Sequence, residues 1–302
     1  MATYSANFPE LLEKRLREVY FNRYMMQPKL YTQVFNVRTS TTAYEDAIKV
    51  SGLGSLTRKP EGQPIGYDDP VQGTRKRTVH TTYALGFRVT MEMMEDDLYG
   101  IIEQMPQDLA DATTDHQENL AWGVFNDAFD GNTYTGLEGD ELCQTAHALL
   151  KSSSTYDNEL SPAVALSVAG LESIFTLADT LVNESGRYTP VKLSKLIIPP
   201  ALRFDAQRLL ETEYEPGTNE NQINPMKSSR TGVSVLMSPY LTDTDAYFVV
   251  AEKSQHSLQW FNKKKVTFDR NKDAHTKDAL FDVMYRAHVT FDDWRGVWGC
   301  PG

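Results

Sequence analysis

The chain is short of several things, and each shortage removes a class of function. It carries two cysteines, Cys143 and Cys300, in 302 residues. Two such thiols make no disulfide framework, which suits a reducing compartment such as the cytoplasm. No apolar run approaches the ~18 residues of a membrane span. The opening MATYSANFPELLEKRL lacks the charged-then-apolar layout of an export signal. The expectation is an intracellular product with no membrane partner. Basic charge is short too: 30 Lys and Arg against 41 Asp and Glu give a net charge of -11. A protein that reads nucleic acid needs a basic face to neutralise phosphates, so that role is not primary. Acidity also keeps a concentrated protein soluble until partners meet in the right geometry.

Recognisable chemistry is scarce as well. No HExxH, CxxC or EF-hand spacing occurs, and SGLGSL is neither GxGxxG nor a Walker loop. The acidic groups Asp68-Asp69 and Glu95-Asp96-Asp97 lack ligand periodicity, and Asp243 with Asp245 are two carboxylates where a calcium loop needs more. Asp292 and Asp293 beside Trp294 read as a strand end packed on an indole rather than as an acid/base pair. The pair that tempts most is Cys143 with His147 in ELCQTAHALL, because a thiol beside an imidazole is how a cysteine nucleophile is activated. Cysteine hydrolases, however, take the histidine from elsewhere in the fold, and no orienting third group is visible. No cofactor and no metal is expected, and no enzyme emerges, a cysteine hydrolase using Cys143 and His147 being the remote alternative.

What is present is organised around Val79–Gly131. Tyr83, Leu85, Phe87 and Val89 alternate with smaller or polar residues, the pattern of a strand with one buried face. From Gln107 to Phe129 the period becomes helical, with Leu109, Ala112, His116, Leu120, Val124 and Ala128 on one stripe. Pro106 fits the first turn, Asp108 and Asp111 suit the positive N-terminus, and Gly131 supplies the stop. Such a helix is roughly 35 Å long, enough for the backbone of a flat domain.

Ahead of this unit, residues 1–37 read as an arm, with a capping box from Asn7 and Glu10 and helical spacing through Leu12, Leu16, Val19, Tyr20 and Tyr24. An N-terminal helix more commonly folds onto its own domain; the alternative is an arm that lies on a neighbour, which its aromatic content mildly favours. Residues 38–78 hold almost no core material but much Gly and Pro, with basic clusters at Arg58-Lys59 and Arg75-Lys76-Arg77. The expectation is a long two-stranded excursion with a Gly/Pro tip, which needs a surface to lie on because an isolated hairpin is barely stable. The basic residues then supply cations for an acidic neighbour. Beyond the long helix, Ser161-Pro162 reads as a helix start with Gly186 as its stop, LSKLIIPP as a buried strand, and ALRFDAQRLLE as an amphipathic helix. EPGTNENQINPMKSSR reads as a surface loop, and VSVLM and AYFVVAE as strands. LQWF, KVTFD and Thr276–Phe291 return to alternation. The class is α+β, with no repeats.

Several of these stretches resemble one family. KVSGLGSLTRKPEGQPIGYDDP, HTTYALGFRVTMEMMEDDLYG, YTGLEGDELCQTAH, LSKLIIPPALRFDAQRLL and VSVLMSPYLTDTDAYFVVAE together resemble major capsid proteins of tailed bacteriophages, in particular the group of Mu-like phages and prophages. The resemblance implies the tailed-phage capsid fold. It places an N-terminal arm at 1–37 and an extended hairpin loop at 38–82. A peripheral domain follows at 83–154 and 253–302 with its spine helix at 107–129, and an axial domain at 155–252. It implies a shell of pentamers and hexamers of identical subunits around double-stranded DNA, in a virion head assembled in the bacterial cytoplasm. A separate scaffolding protein, a portal and a decoration protein are the implied partners, the scaffold because no long charged coiled-coil prefix is visible. Inter-subunit contacts are expected from Arg58, Lys59, Arg75, Lys76, Arg77, Tyr20 and Tyr24. Some capsids of this fold join subunits through a lysine–asparagine bond; Lys49, Lys59 and Lys76, with Asn262 or Asn271, lie where such partners would be, and the non-covalent reading is the default. A nanocompartment shell of the same fold enclosing enzyme cargo is the nearest alternative.

Overall fold

The computed structural model describes residues 9–90, 92–93, 100–214, 223–273, 275–276 and 278–302. Four readings lie partly or wholly outside these residues: the Asn7 cap, the aromatic residues Tyr4 and Phe8, the acidic trio 95–97 and the middle of the polar segment 215–222. Among the described residues no helix is long and apolar enough to cross a membrane.

Two four-stranded sheets and one long helix carry the fold. The first sheet contains β1 (Asn36–Thr39), β4 (Thr81–Val89), β10 (Leu258–Lys272) and β11 (Ala279–Phe291) in the order β1-β10-β11-β4. Its centre is the β10–β11 hairpin, running from Leu258↔Phe291 to Lys272↔Ala279 with bulges after Asn262 and Lys264. LQWF and KVTFD are thus one strand, since a bulge bends the ladder without ending it. In β11 every second side chain from Ala279 onward is buried, the period of two that a sheet with one covered face requires. β1 adds to β10 in parallel.

The cover is α3 (Ile101–Asn126), about 39 Å long by its residue count. It starts six residues earlier than its periodicity predicts, at Gly100, whose φ of 71° suits a residue without a Cβ. Pro106 therefore lies inside the helix. It is buried together with Ile102, so packing outweighs the donor that proline removes. The buried stripe is also displaced. Ala112 and His116 are exposed, while Thr113, Thr114, Gln117 and Glu118 are buried. Polar residues occupy the inner face because each finds a partner: Thr113 and Thr114 donate to the carbonyls of Leu109 and Ala110, and Glu118 accepts from Trp122 Nε1 at 2.8 Å and from the Tyr31 amide at 3.1 Å. The helix ends at Asn126, five residues before Gly131.

α1 (Pro9–Met26) lies against the first half of α3. Tyr20 is wholly buried and donates to Thr113 Oγ1 at 3.1 Å, Tyr24 donates to Gln117 Oε1 at 3.0 Å, and Arg23 forks onto Asp111. The arm folds onto its own subunit, the opposite of the contact expected from its aromatic content, because those rings fill a core with Phe268 and Phe281. A four-residue turn, α2 (Tyr31–Val34), then sends Tyr31 and Phe35 into a second core under Trp260 and Phe125.

The second sheet has the order β12-β9-β7-β8, from β7 (Leu193–Ile198), β8 (Ser234–Met237), β9 (Tyr247–Ala251) and β12 (Val297–Cys300). β9 is central and buried at all five positions. α4 (Val168–Asp179) and α5 (Arg203–Glu211) flank this sheet and share a core with Trp294 and Trp298. α4 begins at Val168, capped by Ser167, which accepts from Gly170 N at 3.2 Å; Ser161-Pro162 sits in the irregular segment before it. The serine six residues downstream does the capping expected of the Ser-Pro pair, and α4 ends at Asp179, well before Gly186. The last strand, β12, pairs with β9, so the chain's end closes the second sheet rather than the first. A four-residue turn α6 (Ser228–Thr231) and the small hairpin β5 (His147–Leu149) with β6 (Ser152–Tyr156) complete the elements.

Candidate functional site

One hairpin, whose inner face reaches the end of β11, turns its apolar side outward. β2 (Tyr44–Val50) and β3 (Gln72–Val79) pair antiparallel from Tyr44↔Val79 to Val50↔Gln72. Side chains alternate, so each strand has an inner and an outer set. The inner set is polar: Lys49 and Thr78 are buried, Glu45 and Lys76 partly so. The outer set is apolar with a few ions: Tyr44, Ile48, Val50 and Val79 are 43%, 48%, 56% and 58% exposed. Among them Asp46 pairs with both Arg75 and Arg77, and the Arg77 guanidinium stacks on the Tyr44 ring at 3.9 Å. Hydrogen bonds from those two arginines hold the Asp46 carboxyl down at about 2. Beyond Val50 the chain makes an irregular tip, 51–71, where Leu53, Leu56, Ile65 and Tyr67 all face solvent. Asp68 closes the tip's base, accepting from the Gly54 amide at 2.7 Å and from Lys151 Nζ at 2.9 Å.

The inner face is anchored by a network of ions. Lys49 Nζ meets Glu138 and, at 2.6 Å, Glu184; Arg295 reaches Glu184 at 2.6 Å and Asp293 at 3.0 Å. Burial works to raise the Glu184 carboxyl, but the Lys49 hydrogen bond, the Arg295 charge and the Leu150 amide outweigh it and the net shift is downward. Lys76 Nζ donates to Thr290 Oγ1 at 2.7 Å and to the carbonyls of Phe291 and Thr135, and burial lowers its affinity for a proton. Ser185 Oγ holds the Ser51 carbonyl at 2.7 Å. Next to Glu138 lies His147, 0% exposed and stacked on Trp294 at 4.3 Å, its pKa lowered by burial to about 4. Removing one partner from such a network strands a buried charge, so the foot fixes where the hairpin emerges.

The residues singled out in the sequence separate here. Arg58 and Lys59 stand exposed at the tip, and Arg75 and Arg77 keep about half of their side chains free, 53% and 49%. Tyr20 and Lys76 are committed inside the subunit, and Tyr24 is half-buried against Gln117, with Lys29 Nζ 3.6 Å above its ring. The basic triplet was read as one cluster, but a strand points its neighbours to opposite sides, and Lys76 faces inward. Cys143 is fully buried and burial pushes its thiol well up, while His147 turns Nε2 to Asn158 at 2.9 Å. Neither group has the environment of a nucleophile and its base. Asp243 caps the amides of Asp245 and Ala246, and Asp292 accepts from Gln259 at 2.8 Å. Asn262 accepts from Trp260 Nε1 and Asn271 donates to Asp282, while Lys49 is paired at the foot. Sequence reasoning passed over Glu138, Glu184 and Arg295, which are scattered along the chain and acquire meaning only when folded together.

Comparison with known proteins places this architecture. Residues 74–299 match the family model described as phage capsid protein. No curated protein sequence matches. Among solved structures, the capsid of a native GTA particle superposes with a TM-score of 0.60 at 11% identity, covering 90% of each chain. The capsid of bacteriophage JBD30 decorated with minor capsid protein trimers gives 0.58 at 16% identity, over 72% of this chain and 92% of that one. A virus-like particle from Pyrococcus furiosus gives 0.52 at 13% identity, over 95% and 98%. These likenesses establish a common fold, and with the family match spanning most of its length, the chain belongs to the phage capsid protein family.

Proposed function

We propose that this capsid protein is the major head subunit of a tailed phage, tiling as pentamers and hexamers into an icosahedral shell around double-stranded DNA. The observation that carries the reading is the inverted hairpin. Among the described residues, nine of the twenty exposed large hydrophobic ones fall between Tyr44 and Val79. A surface of that kind is a cost in water unless another molecule covers it, and a second copy of this chain is the natural cover in a shell. The exposed Arg58, Lys59 and Arg75 then act at the rim, setting orientation against an acidic neighbour, and Tyr44 with Arg77 supplies the aromatic–guanidinium anchor typical of interface centres. In this reading the first sheet with α3 is the peripheral unit and the second sheet the axial one, extended by β12. Association does the work and no bond chemistry is needed. A scaffolding protein, a portal and a decoration protein complete the head in the host cytoplasm.

The test is to express the chain with a candidate scaffolding protein and image the product by electron microscopy, with its nucleic-acid content measured after assembly in the infected host. Closed icosahedral particles filled with DNA are expected. Particles that carry an enzyme instead would favour the cargo shell of the same fold, and a strict monomer at high concentration would end both readings.

A further inference from the structure

At the hairpin's foot three ligand-bearing side chains converge on a small void that the capsid reading does not explain. We propose that Glu138, Asp140 and His147 bind one first-row divalent cation, of the Zn2+ or Mn2+ class, and so lock the 131–147 segment beneath the hairpin. The donor atoms of the three residues all lie within 4.8 Å of one another. Around an ion with bonds of ~2.1 Å, tetrahedral ligand atoms stand ~3.4 Å apart, so the widest pair closes by up to about 1.4 Å, a movement of side-chain rotation. The cavity they line with Trp294 and Phe291 measures about 10 Å³, room for a single ion or water.

The histidine is the independent witness. Asn158 donates its amide to the carbonyls of Leu142 at 2.8 Å and Val297 at 2.9 Å, which fixes its Oδ1 as an acceptor. That oxygen lies 2.9 Å from His147 Nε2, so Nε2 carries the proton and Nδ1 presents a bare lone pair. Nδ1 is buried, has no hydrogen-bond partner and stands 3.6 Å from Glu138 Oε2, itself buried and without a partner. A ring nitrogen fixed by a hydrogen bond on its far side is how proteins orient a metal-binding histidine. Charge points the same way. Lys49 and Arg295 face Glu138, Glu184 and Asp293, and the Asp140 carboxylate adds a fourth negative charge with no hydrogen bond or ion pair among the described residues. Glu141 and Asp292 line the same void and Lys76 stands near Asp292, so carboxylates outnumber cations around it, a deficit that one divalent ion reduces. The imidazole donor favours Zn2+, the two carboxylates admit Mn2+, and Mg2+ and Ca2+ prefer all-oxygen sets.

The full chain is stripped with a chelator, returned to chelator-free buffer, and titrated with Zn2+ and, separately, Mn2+ by calorimetry, with bound metal counted by elemental analysis. Saturable binding of one ion per chain is expected, with a rise in melting temperature on adding metal. Asp140→Asn keeps the side chain's shape and breaks no bond within the subunit. It should fold with an unchanged near-ultraviolet circular dichroism spectrum and an unchanged metal-free melting curve, yet bind about tenfold more weakly or worse. No saturable binding of either ion at ~1 mM, a concentration far above any structural site, overturns the proposal and leaves the void to a water. Equal binding by Asp140→Asn and the parent chain also overturns it.

Discussion

β9 and the outer face of the β2–β3 hairpin both carry large apolar and aromatic side chains and do opposite things with them. In β9, Tyr247, Phe248, Val249 and Val250 are at most 1% exposed, held between α3's core on one face and α4's on the other. In the hairpin, Tyr44, Ile48, Val50 and Val79 point to water while a lysine and a threonine point inward. Tyrosine and β-branched side chains favour a strand in both places; what differs is who covers the apolar side. The central strand is completed by its own chain. The hairpin is completed on its polar side by ions at the foot, and its apolar side is the one that we propose a second copy of the chain covers.

That contrast can be broken by mutation, and the largest effect belongs to the core. Trp298 is wholly buried in the second sheet's core, and Trp298→Ala should cost the subunit about 3–5 kcal/mol in urea unfolding. Leu56 at the tip is fully exposed, and Leu56→Ser should leave the same curve within ~0.5 kcal/mol of the parent. Next comes the foot. Lys49→Met strands Glu138 and Glu184, which Arg295 only partly compensates, and should destabilise by about 3 kcal/mol. If it proves neutral, the foot is not what fixes the hairpin.

Acid separates the two regions as well. Burial lowers His256 and His288 to about 4 in the folded chain, below the ~6.5 of an exposed imidazole. The unfolded chain therefore binds more protons in that window, so this share of stability is complete above about pH 6.5 and declines as pH falls toward 4. Asp46 is depressed instead by its arginines, and the stabilisation it lends the hairpin should persist until pH drops below the ordinary carboxylate value of ~3.9. Melting curves across pH 7 to 4 should fall, while the Asp46 pairs with Arg75 and Arg77 persist, read from the Asp46 carboxyl resonance. The smallest expected effect is Asp46→Asn at pH 7: the pair is exposed to solvent, and the melting temperature should barely move. A large shift would mean the ion pair holds the hairpin rather than trims its outer face.

How much of this was legible beforehand depends on who supplies each residue's partner. The two strands and Gly/Pro tip of the excursion, the buried strands β7 and β9, and the family resemblance were all readable, because period and turn chemistry are local. The helix register was not. Apolar period alone drew the stripe through Ala112 and His116, whereas the buried face contains Thr113, Gln117 and Glu118, whose partners Tyr20, Tyr24 and Tyr31 come from far along the chain. The arm was drawn toward a neighbour for the same reason: aromatic content says that a surface will be covered without saying by what. Glu138, Asp140 and His147 matched no metal spacing, since their convergence is made by a loop and a strand packed under Trp294.

The most direct test of the central claim is the triple variant Ile48→Ser, Val50→Ser, Val79→Ser, compared with the parent chain by subunit melting and by particle counts in electron micrographs. An unchanged melting temperature with loss of closed particles is the predicted result. Intact particles, or a subunit that melts markedly earlier, would contradict the claim that this face is finished by a second copy of the chain.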